Sequence, residues 1–134
     1  YNQYEISNFS KQGFESRHNL KYWNCEEYLG IGSSAHSFID GKRFYCEKRT
    51  DKFVCVPDGE GGDFSEYAML KLRLKQGITE TETKSRFSHS IPEKMRREAE
   101  FLQKNGLVIS DTEGIRLTRN GFLLSNTVIS RLIY

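Results

Sequence analysis

The feature that most constrains this chain is a change of hydrophobic period near Gly62. Beyond it, apolar residues recur three and four apart, the spacing of one face of an α-helix. Phe64, Ala68 and Leu72 stand four apart, with Tyr67, Leu70 and Leu74 beside them. Asp63 or Ser65 can cap this helix and Gly77 can end it. Thr79 to Ser88 reads as a shorter helix with Phe87 as its main anchor. Pro92 suits the first turn of a third helix, which carries Met95, Ala99 and Leu102 on one face. Asn105-Gly106 stops it. Leu107–Ile109 and Ile115–Leu117 read as short strands joined by Asp-Thr-Glu-Gly. Thr118 can cap a last helix bearing Phe122, Leu124, Val128, Ile129 and Leu132. The order helix, helix, helix, strand, strand, helix is that of a winged-helix-like unit over residues 63–134.

Residues 1–62 follow a different pattern. Tyr1 to Ile6 is strand-like, with Tyr4 and Ile6 on one face. Ser7 to Arg17 is polar and contains Gly13, so it reads as a loop. His18 to Tyr28 holds a short helix. Ser37-Phe38-Ile39, Asp40-Gly41 and Lys42 to Cys46 form a hairpin signal, because Asp-Gly supplies the positive φ angles of a type I′ turn. Thr50 to Gly62 reads as a turn-rich linker, marked by Pro57-Asp58-Gly59 and Gly61-Gly62. The fold class expected is α+β, with short strands and a hairpin before Gly62 and helices after it. The chain opens directly on a strand-like segment at Tyr1, which leads us to expect the C-terminal part of a longer protein.

Composition limits the possible partners. Hydrophobic residues make up 37% and charged residues 28%, a globular balance. No apolar run approaches the roughly 20 residues of a membrane helix. A net charge of +2 gives no argument for nucleic acid or acidic lipid. The third helix carries Lys94, Arg96 and Arg97, but also Glu93, Glu98 and Glu100. Those charges cancel, so a packing or lid role is expected there rather than DNA reading. Cys25, Cys46 and Cys55 are odd in number and irregular in spacing. They suggest free thiols in a reducing cytoplasm rather than a disulfide framework, and no CxxC pair points to zinc or an iron–sulfur cluster.

The chemistry-bearing residues concentrate in one stretch, His18 to Ser37, reading HNLKYWNCEEYLGIGSSAHS. It holds the only Trp, two of the three His and a Gly-x-Gly turn. Aromatic faces stack on planar ligands and His can ligate iron. On a helical turn, His18 and Tyr22 share one face while Asn19 and Trp23 share the next. Each residue also has a plainer role: His18 and His36 as hydrogen-bonded structural groups, Tyr22 and Trp23 as core aromatics, Gly30 and Gly32 as a sheet corner. Gly30-Ile31-Gly32 lacks the third Gly of a dinucleotide fingerprint. No Ser–His–Asp or paired-carboxylate arrangement stands out, so no catalytic residue and no metal ligand is assigned.

YEISNF at Tyr4 to Phe9, RHNLKYW at Arg17 to Trp23 and YLGIGSSAHS at Tyr28 to Ser37 together resemble one family. It is the radical-SAM family of oxygen-independent coproporphyrinogen III oxidase-like proteins, and the fit is closest to its HemW-type branch of haem chaperones. LKLRLKQGI at Leu70 to Ile78, NGL at Asn105 to Leu107 and LTRNGFLLSN at Leu117 to Asn126 resemble that family's C-terminal domain. The resemblance covers almost the whole chain. It implies that residues from Tyr1 to about Arg49 end a partial (β/α) radical-SAM barrel. The preceding part of such a protein holds a [4Fe–4S] cluster on CxxxCxxC and binds S-adenosyl-L-methionine; this chain has no CxxxCxxC. The family's HNxxYW motif, linked to tetrapyrrole handling, maps onto His18, Asn19, Tyr22 and Trp23. Its GIGxxAHS turn, near the cofactor side of the barrel, maps onto Gly30, Gly32, Ala35, His36 and Ser37. Here Ser33-Ser34 stand where many relatives carry a Gly beside the Ala, and the segment between the hairpin and the first C-terminal helix is short.

Two expectations follow from the resemblance and a third from the element order. The parent is a cytoplasmic haem chaperone; or it is an oxygen-independent coproporphyrinogen III oxidase working by radical decarboxylation; or, more weakly, residues 63–134 are a separate winged-helix interaction module. The implied partners are a tetrapyrrole (haem or coproporphyrinogen III) and the N-terminal part of the parent chain, with no nucleic acid and no membrane span.

Overall fold

The computed structural model describes residues 1–134 and has an α+β architecture of three small antiparallel sheets and six helices. β1 (Asn2–Gln3) pairs with β2 (Phe9–Ser10). This is shorter than the strand expected over Tyr1 to Ile6, and the residue that turns fully inward after it lies between Tyr4 and Ile6. Glu5 is the fully buried position, while Tyr4 and Ile6 are half-buried. The cause is tertiary pairing. Glu5 bridges to Leu74, and the flanking amides of Ile6 and Lys75 donate to Arg73 O and Tyr4 O at 2.9 and 3.0 Å. With a period of two, that register turns Glu5 inward.

α1 (Arg17–Trp23) begins one residue before the expected helix. Ser16 caps it, its hydroxyl accepting from the Asn19 amide at 3.3 Å. β3 (His36–Ile39) and β4 (Lys42–Arg49) form the expected hairpin, and both turn residues have positive φ, 50° at Asp40 and 71° at Gly41.

The linker expected over Thr50 to Gly62 is instead mostly a strand, β5 (Lys52–Glu60), paired along β4 from Arg49↔Lys52 to Lys42↔Glu60. β5 is the edge of the sheet β3-β4-β5. An edge tolerates Pro57, whose missing N–H faces away from the ladder. That is why turn residues here did not prevent a strand.

The helical half follows its apolar spacing closely. α2 (Phe64–Lys71) starts at Asp63, whose carboxylate accepts from the Glu66 amide at 2.8 Å. It stops at Lys71 rather than running to Gly77. The residues after it are used in the bridge to Glu5 and in β6 (Ile78–Thr79). α3 (Glu80–Phe87) is capped by Thr79, and α4 (Glu93–Lys104) buries Met95, Ala99 and Leu102. β7 (Val108–Ser110) and β8 (Gly114–Leu117) pair antiparallel, with β6 on the other side of β8.

The single helix expected after Thr118 is two: α5 (Arg119–Leu123) and α6 (Ser125–Ile133). They divide at Leu124, which is exposed rather than in the core. Gly121 N–H donates to the capping Thr118 hydroxyl at 3.0 Å, and a Cβ at Gly121 would lie 2.0 Å from Leu107 O. The close approach of α5 to the strand entry fixes the break.

One core joins both halves. Cys25 and Phe38 belong to the same buried cluster as Tyr67, Leu72, Ile78, Leu102, Ile115 and Leu132. Burial of such side chains stabilises by about 1.5–3 kcal/mol each. The segment carrying α1 and β3 is thereby seated on the helices. No helix is long and apolar enough to cross a membrane.

Candidate functional site

α1 presents its motif as the four-residue spacing implies. The His18 imidazole meets the Tyr22 ring edge-on at 4.8 Å between centroids. Tyr22 in turn meets Tyr28 at 4.5 Å, also edge-on. Edge-to-face pairs of this kind each add about 0.5–1.5 kcal/mol beyond area burial. The result is a continuous aromatic row, His18, Tyr22, Tyr28, that links HNxxYW to the start of YLGIGSSAHS. His18 is exposed at the end of this row. Asn19 is half-buried, and its amide closes the Ser16 cap. Trp23 points elsewhere: its ring lies under the Arg73 guanidinium, 5.4 Å from the ring centroid.

The second motif is a tight turn. Tyr28 and Phe38 exchange both main-chain hydrogen bonds at 2.9 Å, closing the loop between them. Gly30 N–H donates to the fully buried Ser37 hydroxyl at 3.0 Å. A Cβ at Gly30 would lie 2.2 Å from His36 O, so only glycine fits. Gly32 has φ 118° and touches nothing there, its role being conformational. Ala35 and Ser34 hold the main chain of Cys46: Cys46 N–H donates to Ala35 O at 3.3 Å and Ser34 N–H to Cys46 O at 2.7 Å. Leu29 and Ile31 are exposed, at 64% and 92%.

His36 is separated from this row. Its ring lies tilted against Tyr45, 5.3 Å between centroids and 32° between planes, and its Nδ1 lies 3.3 Å from Asp58 Oδ2 on β5. Thus His18 and His36 have different partners and form no pair. The Asp58 partner lay in the stretch read as a linker, and so was not visible as a strand neighbour. The largest groove, about 860 Å³ between α4 and α6, is lined by Glu93, Lys94, Arg97 and Arg131 and holds none of these residues.

The sequence reading also missed the anchor beneath α1. Lys71 is 1% exposed, and its ammonium donates to Asn24 Oδ1 at 3.0 Å and reaches Glu82 Oε2 at 3.0 Å. Arg86 donates to the main-chain oxygens of Asn24 and Cys25 at 2.8 and 2.7 Å, satisfying the end of the helix. Burial opposes the Glu82 charge, but the Lys71 hydrogen bond and charge outweigh it and hold the carboxyl below its usual range. Tyr67, buried and beside Glu82, is pushed well above an ordinary phenol, burial being the main cause. Burial likewise raises the Cys25 thiol. The only local signal was a lysine on the apolar face of α2.

Residues 64–124 match the HemN C-terminal domain. The chain is 32% identical over 146 aligned positions to "Heme chaperone HemW" of Lactococcus lactis subsp. lactis, covering 99% of this chain and 38% of that protein. It is 29% identical to the protein of the same name from Bacillus subtilis, covering 98% of this chain and 38% of that one. Residues 64–124 thus carry a HemN C-terminal domain, and the chain is similar along its length to proteins named heme chaperone HemW. A further relative, "Radical S-adenosyl methionine domain-containing protein 1, mitochondrial" of Mus musculus, is 42% identical over 66 residues, 49% of this chain and 11% of that protein. The chain therefore spans 38% of the length of the two bacterial relatives named. No solved structure matches it significantly.

Proposed function

We propose that this chain is the C-terminal part of a haem chaperone of the radical-SAM, coproporphyrinogen III oxidase-like family, and that α1 with the Gly30–Ser37 turn supplies one wall of its tetrapyrrole site. The observation that carries the reading is the exposed His18 at the end of the row His18, Tyr22, Tyr28. An accessible imidazole beside aromatic rings suits an iron porphyrin, with the imidazole as axial ligand and the rings against the macrocycle. The exposed Leu29 and Ile31 extend the apolar surface next to Tyr28. The names of the bacterial relatives support the same reading.

Within residues 1–62, several buried polar groups have no hydrogen-bond partner in this chain. The Glu5 carboxylate, the Ser10 hydroxyl and the Trp23 indole N–H are buried without a hydrogen bond. Such groups favour completion by further polypeptide. On this reading residues 1–62 end the radical-SAM barrel, and residues 63–134 form a winged-helix-like unit whose sheet β6-β8-β7 and α2, α3 and α4 serve packing. The charges of α4 are consistent with packing rather than DNA reading, since Arg96 is paired with Glu80 at 2.7 Å and Arg97 with Glu93 at 3.4 Å.

Cys25, buried in the core, and Cys46 and Cys55, on the hairpin, do not fit an iron–sulfur cluster. The [4Fe–4S] cluster and S-adenosyl-L-methionine are assigned to the remaining length shared with the relatives. Gly30, Gly32, Ala35, His36 and Ser37 would face that cofactor side. The match to the HemN C-terminal domain supports a second reading, oxidative decarboxylation of coproporphyrinogen III. The deciding experiment assays the whole protein, with cluster and S-adenosyl-L-methionine, for haem transfer and for decarboxylation. Haem transfer without decarboxylation is the expected result; decarboxylation without transfer would replace the chaperone with the oxidase.

A further inference from the structure

We propose that Cys46 and Cys55 form a reversible intramolecular disulfide, a thiol-modification site on the β4–β5 ribbon that stiffens the Gly30–Ser37 turn. The two residues stand directly opposite each other in the antiparallel register, and their Sγ atoms are 3.6 Å apart. Directly opposed residues in an antiparallel pair have Cα atoms about 4.5 or 5.5 Å apart, and both values lie within the span that a disulfide bridges. A side-chain rotation is then enough to bring the sulfurs to bonding distance, with no change of register.

Access is asymmetric in a useful way. Cys55 is exposed and Cys46 is half-buried, so a soluble oxidant reaches Cys55 first. Cys25 is only 4% exposed in the core and is kept out of the exchange. A zinc site is the competing use of paired thiols, but it needs four ligands. No group of three or more His, Cys, Asp or Glu side chains assembles here, so dithiol chemistry is what the pair can support.

The oxidant required is a small-molecule disulfide such as glutathione disulfide. The Cys55 thiolate attacks one of its sulfurs, forming a mixed disulfide and expelling one glutathione thiolate. Cys46, deprotonated in turn, attacks Cys55 Sγ and expels the second. One protein S–S bond replaces the glutathione S–S bond. The two thiol protons end on two molecules of glutathione, which carry away both electrons.

The consequence reaches the turn through Cys46. Its main-chain N–H and C=O are the groups bonded to Ala35 and Ser34. Tying Cys46 to β5 removes the freedom of the ribbon to which that turn is fastened.

The test equilibrates the protein with defined ratios of oxidised to reduced glutathione, followed by acid quench, alkylation and peptide mapping by mass spectrometry. The expected product has lost two hydrogens, links the Cys46 and Cys55 peptides, retains no glutathione and leaves Cys25 reduced. Cys46→Ser should stop at the mixed disulfide and keep one glutathione on Cys55. Hydrogen exchange at the Ser34 amide should slow on oxidation of the wild type. A stable glutathione adduct on wild-type Cys55, a bridge involving Cys25 or a second molecule, or thiols unchanged under strongly oxidising ratios would overturn the proposal. An unchanged Ser34 amide in the oxidised protein would overturn its link to the turn. The wild-type map needs no variant, so a failure of Cys46→Ser to fold leaves the result decisive.

Discussion

Replacing Lys71 by Met should loosen α1 from the body of the protein. The ammonium is buried and holds two groups, Asn24 Oδ1 at 3.0 Å and Glu82 at 3.0 Å. A hydrogen bond to a charged group contributes about 1.5–3 kcal/mol. The Glu82 side chain is 46% exposed, so water replaces much of what it loses, and its share falls toward the ~0–1 kcal/mol of a surface pair. Met fills most of the lysine volume and relieves the cost of burying a charge, which offsets part of the loss. The net destabilisation is about 2 kcal/mol, dominated by the contact with Asn24. With an unfolding entropy of about 2.1 cal/mol/K per residue, that lowers Tm by about 7 °C for a chain of this size. Arg86 still holds Asn24 O and Cys25 O, so α1 should remain folded but exchange faster. Urea unfolding gives the first quantity and hydrogen exchange of α1 amides the second. The double variant with Glu82→Gln separates the two partners. A variant as stable as wild type, with unchanged α1 protection, would refute the anchoring role of Lys71.

Gly30→Ala should cost more, because its Cβ would meet His36 O at 2.2 Å and a main-chain oxygen does not yield easily; thermal unfolding should show a loss of about 3 kcal/mol or more. Asp63→Ala removes the carboxylate that accepts from the Glu66 amide at 2.8 Å, and should cost about 1 kcal/mol in the same assay. Acid should destabilise the protein through Glu80 and Glu82, whose carboxyls Arg96 and Lys71 hold below their ordinary values against the opposing effect of burial. The folded state then binds fewer protons than the unfolded one, so the contribution is complete above the unfolded value of about 4.3 and is lost as pH falls through the lower folded pKa values. Urea midpoints measured downward from pH 6 should fall in that window, and Glu80→Gln with Glu82→Gln should flatten the slope.

The helical half was legible because its apolar faces repeat at helical spacing and its caps are local. Asp63, Thr79 and Thr118 each accept the amide their positions suggest. The Asp40-Gly41 hairpin was legible for the same reason. β5 was not, because strand formation at an edge depends on the partner β4 rather than on the strand's own residues. The burial of Glu5 was not legible, because a two-residue period cannot say which face a distant partner will cover. Within the candidate site, the sharing of one face by His18 and Tyr22 followed from helix geometry. The contact of Tyr22 with Tyr28, the pairing of His36 with Asp58 and the seat made by Lys71 and Arg86 all join residues remote in sequence. No spacing rule reaches them.

The most direct measurement is haem binding by the whole protein and by its His18→Ala variant, followed through the Soret band. Circular dichroism and equal cluster content must first show that both are folded. If His18 is the axial ligand at the end of the Tyr22–Tyr28 row, His18→Ala should shift the Soret band and weaken binding about tenfold or more, equivalent to about 1.4 kcal/mol. An unchanged band and an unchanged affinity would remove His18 from the site and return α1 to a structural role.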